Sequence, residues 1–226
     1  MKRLVLRTVL PALLAVALFT SAVFFSFLPT FSRAIRDQKR MMIRELTESA
    51  WNVMARWEAE ERAGRLTRDQ AQAEAVAQVR NLHYGQEMKD YFWITDIHPR
   101  MIVHPYRPDL NGKDLTGFRD SRGKTIFVDF VRATAESGES YVEYMWQWND
   151  DSTRIVPKLS YVRQFEPWNW VIGTGIYTGD VQEEISRIER NIIIVSLVIS
   201  GAVVILLVFV LEQSLRIERE RQEVLD

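Results

Sequence analysis

The sequence predicts an α+β fold: an antiparallel sheet of about five strands with helices on its faces, flanked by two transmembrane helices. Two observations carry this. Charge-free apolar runs stand near both ends of the 226 residues, and the hydrophobic period between them passes from helical to strand-like and back to helical.

The first run extends from Thr8 to Ser32 without a charged residue, and the second, Ile192 to Leu211, is equally free of charge. About twenty apolar residues at 1.5 Å each match a hydrocarbon core of about 30 Å, so both read as membrane spans. Pro11 falls at the start of the first, where a missing backbone donor matters least. A cleaved signal peptide is the competing reading of the first run, since Lys2, Arg3 and Arg7 form a basic leader. The run exceeds the roughly 7–15 residues of such a segment, and its small-residue triplet Ala15-Val16-Ala17 lies mid-run, so an uncleaved anchor is expected. The same basic residues hold the N-terminus in the cytoplasm, and Arg216, Arg219 and Arg221 hold the C-terminus there too. The expected organisation is a cytoplasmic N-terminus (1–7), a first span (8–28), an extracytoplasmic domain (29–190), a second span (191–211) and a cytoplasmic helical tail (212–226).

Composition narrows the function classes. Lysine and arginine number 29 against 30 acidic residues, a formal charge of −1, so no nucleic-acid partner is indicated. The absence of cysteine removes disulfides, thiolate metal sites and cysteine nucleophiles, and it suits an oxidising compartment.

Within the outer domain, Ile35, Met42, Leu46, Ser49, Val53 and Trp57 recur mostly at threes, fours and sevens, a long amphipathic helix to about Ala63 that Gly64 ends. Thr67-x-x-Gln70 is a capping box opening a second helix to about Asn81. The period then changes to two. Tyr91–Thr95 and Met101–His104 read as a hairpin turning at Ile97–Arg100. Pro105, Pro108, Asn111-Gly112 and Gly117 mark an irregular loop. Ile126, Phe127, Phe130, Val131 and Thr134 share one face of a helix that Gly138 ends. Strands at Tyr141–Trp148, Lys158–Phe165 and Trp168–Tyr177 follow, separated by turns at Asn149–Ser152 and Glu166-Pro167. A last helix from about Asp180 runs into the second span without a breaker.

The hairpin register suggests where a ligand would sit. Pairs whose numbers sum to about 197 set Trp93 opposite His104 with Tyr91 on the same face, while Phe92, Ile94, Met101 and Val103 face the long helix. One face thus displays tyrosine, tryptophan and histidine: either the wall of a small-molecule pocket or core aromatics with satisfied polar tips. Tyr144, Trp146, Lys158 and Tyr161 come from the third and fourth strands. Lys158 reads either as a solvated edge residue or as a cation placed to pair with a bound carboxylate. Arg80 and Tyr84, at the end of the second helix, are within reach of the same cavity, and Trp168 and Trp170 read as core.

The strings Tyr91-Phe92-Trp93-Ile94-Thr95-Asp96, Met101-Ile102-Val103-His104-Pro105, Leu110-Asn111-Gly112-Lys113-Asp114-Leu115, Pro157-Lys158-Leu159-Ser160-Tyr161-Val162 and Trp168-Asn169-Trp170-Val171-Ile172-Gly173-Thr174-Gly175-Ile176-Tyr177 resemble, in that order, the single-Cache sensor domain of bacterial transmembrane receptors. The resemblance covers about Arg80 to Asp180. It implies a PAS-like sheet behind a long N-terminal helix outside the bacterial inner membrane, and a small ligand, often a short organic acid such as acetate, propionate, lactate or pyruvate. Carried over by position, it makes Trp93, His104 and Lys158 the carboxylate-side residues, with Arg80, Tyr84, Tyr91, Tyr144, Trp146 and Tyr161 as walls and polar tips. A homodimer through the long helix is expected. The chain departs from such receptors after the second span, where only Glu212–Asp226 remain. That predicts either a sensor whose output lies in a separate cytoplasmic signalling protein or a truncated receptor.

No enzymatic constellation is apparent. His83, His98 and His104 lack the spacing of a helical zinc site, Asp109-x-Asn111-Gly112 lacks the closing glutamate of a calcium loop, and Gly173-Thr174-Gly175 lacks a phosphate-binding helix. Neither catalysis nor a metal or cofactor is therefore expected. Two further alternatives stand: a pH sensor titrating through His104, and an adaptor that binds a periplasmic protein by an exposed aromatic patch.

Overall fold

The computed structural model describes residues 9–85 and 87–223. The basic leader Lys2, Arg3 and Arg7 and the end of the tail, 224–226, lie outside the described residues. The chain forms two compact units, residues 36–182 and a second built from 1–35 with 183–226.

The described residues of the second unit are helical. Helix α1 (Leu10–Ala22) passes through one π-helical turn (Val23–Phe27) into α2 (Leu28–Arg62), and α5 (Thr178–Glu223) contains the second apolar run. Pro29, which has no N–H to give the carbonyl four residues back, lies two residues past the end of that π turn. Both helices are long and apolar enough to cross a membrane, and their Leu18, Phe25 and Ile205 are 62 %, 85 % and 72 % exposed. Side chains of this kind are stable at a surface only against lipid or protein. Within this unit Ser32 Oγ donates to Glu189 Oε1 at 2.5 Å, tying α2 to α5.

The unit of residues 36–182 is built on a five-stranded antiparallel sheet in the order β4-β3-β7-β6-β5. The strands are β3 (Trp93–Asp96), β4 (Met101–Val103), β5 (Glu139–Trp148), β6 (Asp151–Phe165) and β7 (Trp170–Tyr177). A separate ribbon of β1 (His83–Tyr84) and β2 (Asp90–Tyr91), which hydrophobic periodicity did not indicate, precedes it. Helices α2 and α3 (Arg68–Arg80) cover one face of the sheet. The other carries α4 (Ile126–Ser137) and the loop containing Leu110, Leu115 and Phe118.

Local chemistry explains most boundaries. Helix α2 stops at Gly64, whose φ of +70° costs little without a Cβ. Helix α3 opens with the reciprocal Thr67–Gln70 capping box. Two indole hydrogen bonds fix α2 to the sheet end: Trp51 Nε1 donates to the Gln164 carbonyl at 2.9 Å, and Trp168 Nε1 donates to Glu61 at 2.7 Å.

Two expectations need correction. Strand β6 begins at Asp151 rather than Lys158, because Trp148 already pairs with Asp151 around a tight turn and a register shift follows. Pro157 is tolerated inside β6 because β7 pairs only from Lys158 onward, which leaves the Pro157 nitrogen at a local edge. In the β3–β4 hairpin, Ile94 pairs with Val103, numbers summing to 197, but a bulge after Ile94 moves Thr95 opposite Met101. A one-residue slip reverses a side chain's face. Phe92, Ile94 and Val103 accordingly pack toward α2 and α3 as expected, and Met101 packs on the opposite side.

Candidate functional site

The face away from α2 bears an aromatic cluster walled by the sheet and by α4. Trp93 from β3, His104 just after β4, Phe127 and Phe130 from α4, and Tyr144 and Trp146 from β5 line a cleft too narrow in this conformation for a water-sized sphere. Trp93 stacks on Phe130 with ring centroids 4.5 Å apart and planes 22° from parallel. Phe127 meets Trp146 edge-on at 5.8 Å, and Phe130 meets Tyr144 edge-on at 5.1 Å. Offset-stacked and edge-to-face contacts of this kind contribute about 0.5–1.5 kcal/mol each beyond their buried area.

Strand parity decides which residues join the cluster. On β6 the pairing Lys158–Tyr177 and Val162–Gly173 puts 158, 160 and 162 on the cleft face, across from odd-numbered residues of β7. Tyr144, whose hydroxyl lies 2.9 Å from Ser160 Oγ, belongs to that face as well.

Lys158 is 1 % exposed. Its ammonium sits 4.1 Å from the centroid of the Tyr91 ring and 4.8 Å from that of Tyr177, so two π faces partly replace the water it has lost. Burial nevertheless pushes its pKa down to about 7, with the charge of Asp90 pulling the other way. Asp90, partly buried, has its own pKa raised by desolvation, against the opposing pull of Lys158. The sheet thus holds a cation it solvates poorly, and an added anion would stabilise its charged form.

His104 is 2 % exposed and accepts a hydrogen bond at Nδ1 from the Arg107 amide at 3.0 Å. With Nδ1 accepting, the neutral ring carries its proton on Nε2. Its ring centroid lies 4.8 Å from that of Tyr91 and 5.5 Å from that of Trp146. Burial lowers its pKa well below the ordinary value, and the charges of Lys158 and Arg107 add to this. His104 is therefore a neutral donor at physiological pH, and a titration near neutrality falls to Lys158 instead.

Two more donors point the same way. Among the described residues, the buried Tyr91 hydroxyl and Trp146 Nε1 complete no well-formed hydrogen bond, although the Tyr91 hydroxyl lies close to both Tyr177 and the Trp146 indole. Leaving such groups unmade typically costs about 1–3 kcal/mol each, which a bound acceptor would recover. The Tyr91 hydroxyl, Trp146 N–H, His104 Nε2–H and Lys158 ammonium make a site rich in donors, with a hydrophobic wall of Phe127, Phe130 and Trp93. The chemistry that satisfies it is a small anion with a short apolar tail.

The structure brings together Tyr91, Trp93, His104, Tyr144, Trp146 and Lys158, and separates the other three residues. Tyr161, one residue from Ser160 and three from Lys158, has the opposite parity and lies on the helix side with Ile43 and Leu159. Tyr84 turns away because β1 pairs with β2. Its ring packs on Phe92, and its hydroxyl lies 2.7 Å from Thr174 Oγ1, on the α2/α3 side. Arg80 is exposed at the end of α3. Sequence reasoning missed Tyr177 and Gly173, both of which the β7 alternation assigns to the cleft face once Lys158 is placed there. It read Phe127 and Phe130 only as a helix's apolar stripe. His83, His98 and His104 form no metal cluster, and no group of three metal-ligating side chains occurs among the described residues.

The family profile described as Single Cache domain 2 matches residues 35–191. The methyl-accepting chemotaxis protein McpP of Pseudomonas putida is 37 % identical over 180 residues, 80 % of this chain and 32 % of that protein. The sensor histidine kinase MctS of Rhizobium johnstonii is 31 % identical over 139 residues, 58 % of this chain and 29 % of its own length. The chain thus spans about a third of these relatives. Among solved structures, a periplasmic sensor domain of a chemotaxis protein superposes with a TM-score of 0.61 at 36 % identity, covering 64 % of this chain and 98 % of that one. One described as the structural basis for carboxylic acid recognition by a Cache chemosensory domain gives 0.61 at 34 % identity, covering 64 % and 97 %.

Proposed function

We propose a function from one premise: the chain belongs to the single Cache domain 2 family. It acts as a transmembrane signal receptor whose outer domain, between two membrane passes, binds a small organic acid of two to four carbons. The carboxylate pairs with Lys158 and accepts from His104, Trp146 and Tyr91, and its short tail lies against Trp93, Phe127 and Phe130. The observation that carries this reading is the buried, poorly solvated Lys158 ammonium, held over the Tyr91 and Tyr177 rings without an ion-pair partner within 4 Å among the described residues. A solved relative that recognises carboxylic acids supports it.

An acid of five or six heavy atoms contributes at most about 1.5 kcal/mol per atom, or about −7 to −9 kcal/mol in all. Opening the closed cleft must disturb contacts such as the Trp93–Phe130 stack, worth about 1 kcal/mol, which sets the expected affinity in the micromolar range.

The signal leaves through β7. Tyr177, its last residue, faces the Lys158 ammonium and holds the turn between β5 and β6: its hydroxyl accepts from the Asn149 amide at 2.7 Å and donates to the Gln147 carbonyl at 3.0 Å. Helix α5 starts at the next residue and continues through the apolar run. A carboxylate that draws Lys158 off the Tyr177 ring changes what holds the start of α5, and ligand biases that helix by binding one state more tightly. Pairing of two copies along α2, and output through a cytoplasmic signalling protein, belong to the same proposal. Its test is calorimetric titration of the full chain in lipid nanodiscs with acetate, propionate, butyrate and lactate. Micromolar binding of at least one acid, lost in Lys158→Met, supports the reading, and no binding at millimolar acid overturns it.

A further inference from the structure

Strand β7 runs through the middle of the sheet, and at Gly173 it carries no side chain on the cleft face. Trp93 is the cross-strand partner of Gly173 on β3. A Cβ built at Gly173 would fall 2.5 Å from Trp93 Cζ2 and 3.0 Å from both Cε2 and Cη2. The six-membered ring of the indole therefore occupies the place a residue 173 side chain would take. Ordinary carbon contact would require this ring to move by roughly 1 Å. Phe130, stacked on the indole at 4.5 Å, resists movement toward α4. Displacement along the sheet instead drives the ring into the cleft that it shares with His104, Tyr144 and Trp146.

We propose that Gly173 is the residue that sets the size of the ligand: its missing side chain recesses Trp93 into the sheet and so fixes how long an acid the cleft accepts. The inference rests on the reading of the cleft as an organic-acid site, and extends it from ligand class to chain-length selection. Gly173 acts through Trp93 and is a positioning residue. The neighbouring Gly175 is different, since a Cβ there meets the Leu159 carbonyl at 2.5 Å and the Ser160 backbone at 2.9 Å, which tests packing rather than selection.

The experiment measures dissociation constants of acetate, propionate, butyrate and pentanoate for the full chain in nanodiscs, in the parent, Gly173→Ala, Trp93→Phe and Gly173→Ala/Trp93→Phe. One methylene in an apolar pocket discriminates by roughly 10–200-fold. Gly173→Ala is expected to raise the butyrate-to-acetate ratio of dissociation constants at least about tenfold. Trp93→Phe alone is expected to lower that ratio, and the double variant to return toward the parent. Trp93→Phe keeps the inference falsifiable where Gly173→Ala does not fold. Variants that weaken every acid by one common factor, leaving the ratios unmoved, overturn the role of Gly173 while the acid-binding reading stands. A parent that binds none of the four acids overturns both.

Discussion

Burial of Lys158 makes ligand binding a proton-coupled event, and its size follows from one value. Without ligand the ammonium has a pKa of about 7 instead of 10.5, because the sheet removes its water and returns only two aromatic faces and the more distant charge of Asp90. A carboxylate at the ammonium restores the charged form, so above pH 7 each acid must bring a proton with it. The apparent dissociation constant then scales roughly as one plus ten to the power of pH minus 7: near its limit at pH 6, about tenfold weaker at pH 8 and about a hundredfold weaker at pH 9. His104 adds nothing in this window, since burial holds its pKa well below neutrality. Titration calorimetry at pH 8 in two buffers of different ionisation enthalpy should find about 0.9 proton taken up per acid bound. The ligand-free domain gives the complementary sign. Its folded pKa lies below the unfolded value, so the unfolded chain holds the extra proton between pH 7 and 10.5, and stability should climb as pH rises through that window. Lys158→Met should flatten both profiles. Affinity that is level from pH 6 to 9, with no proton uptake, would refute the reasoning.

The Trp146 N–H provides a second check. Trp146→Phe keeps an aromatic wall and removes a donor that completes no well-formed hydrogen bond in the ligand-free domain. It should weaken acid binding by about three- to tenfold, the size of one hydrogen bond, with a change in denaturation midpoint smaller than that of Phe127→Ala. Tyr161→Phe should leave acid affinity unchanged in calorimetry, because Tyr161 lies on the helix face of β6, away from the cleft. Thr67→Ala removes the capping-box acceptor of α3 and should lower stability in chemical denaturation by about 1 kcal/mol, with acid selectivity unmoved.

Much of the fold was legible because it rests on local chemistry. Charge-free runs set the two apolar helices, Gly64 and the Thr67–Gln70 pair set the break between α2 and α3, and period-two aromatics gave the strands. What escaped depends on register. The bulge after Ile94 that carries Met101 across the sheet has no sequence signature, and the Asp151 start of β6 depends on how it pairs with β5. The candidate site was legible where residues two apart in extended chain share a face, as Tyr91 with Trp93 and Tyr144 with Trp146 do. Tyr161 lies on the helix side of β6, a placement that strand parity relative to Lys158 already implies from the sequence. Tyr84 was different, because its direction is fixed by the short β1–β2 ribbon. Gly173 offered no side chain to notice, and only the indole filling its place reveals it.

In the proposed mode of binding, the buried Lys158 ammonium is the group a carboxylate meets. Calorimetric titration of the full chain with short acids at pH 6.5, for the parent and Lys158→Met, tests it most directly. The account predicts micromolar binding of at least one two- to four-carbon acid, weakened about tenfold or more in Lys158→Met, as loss of a charge-assisted contact requires. An acid that binds Lys158→Met as tightly as the parent would contradict it.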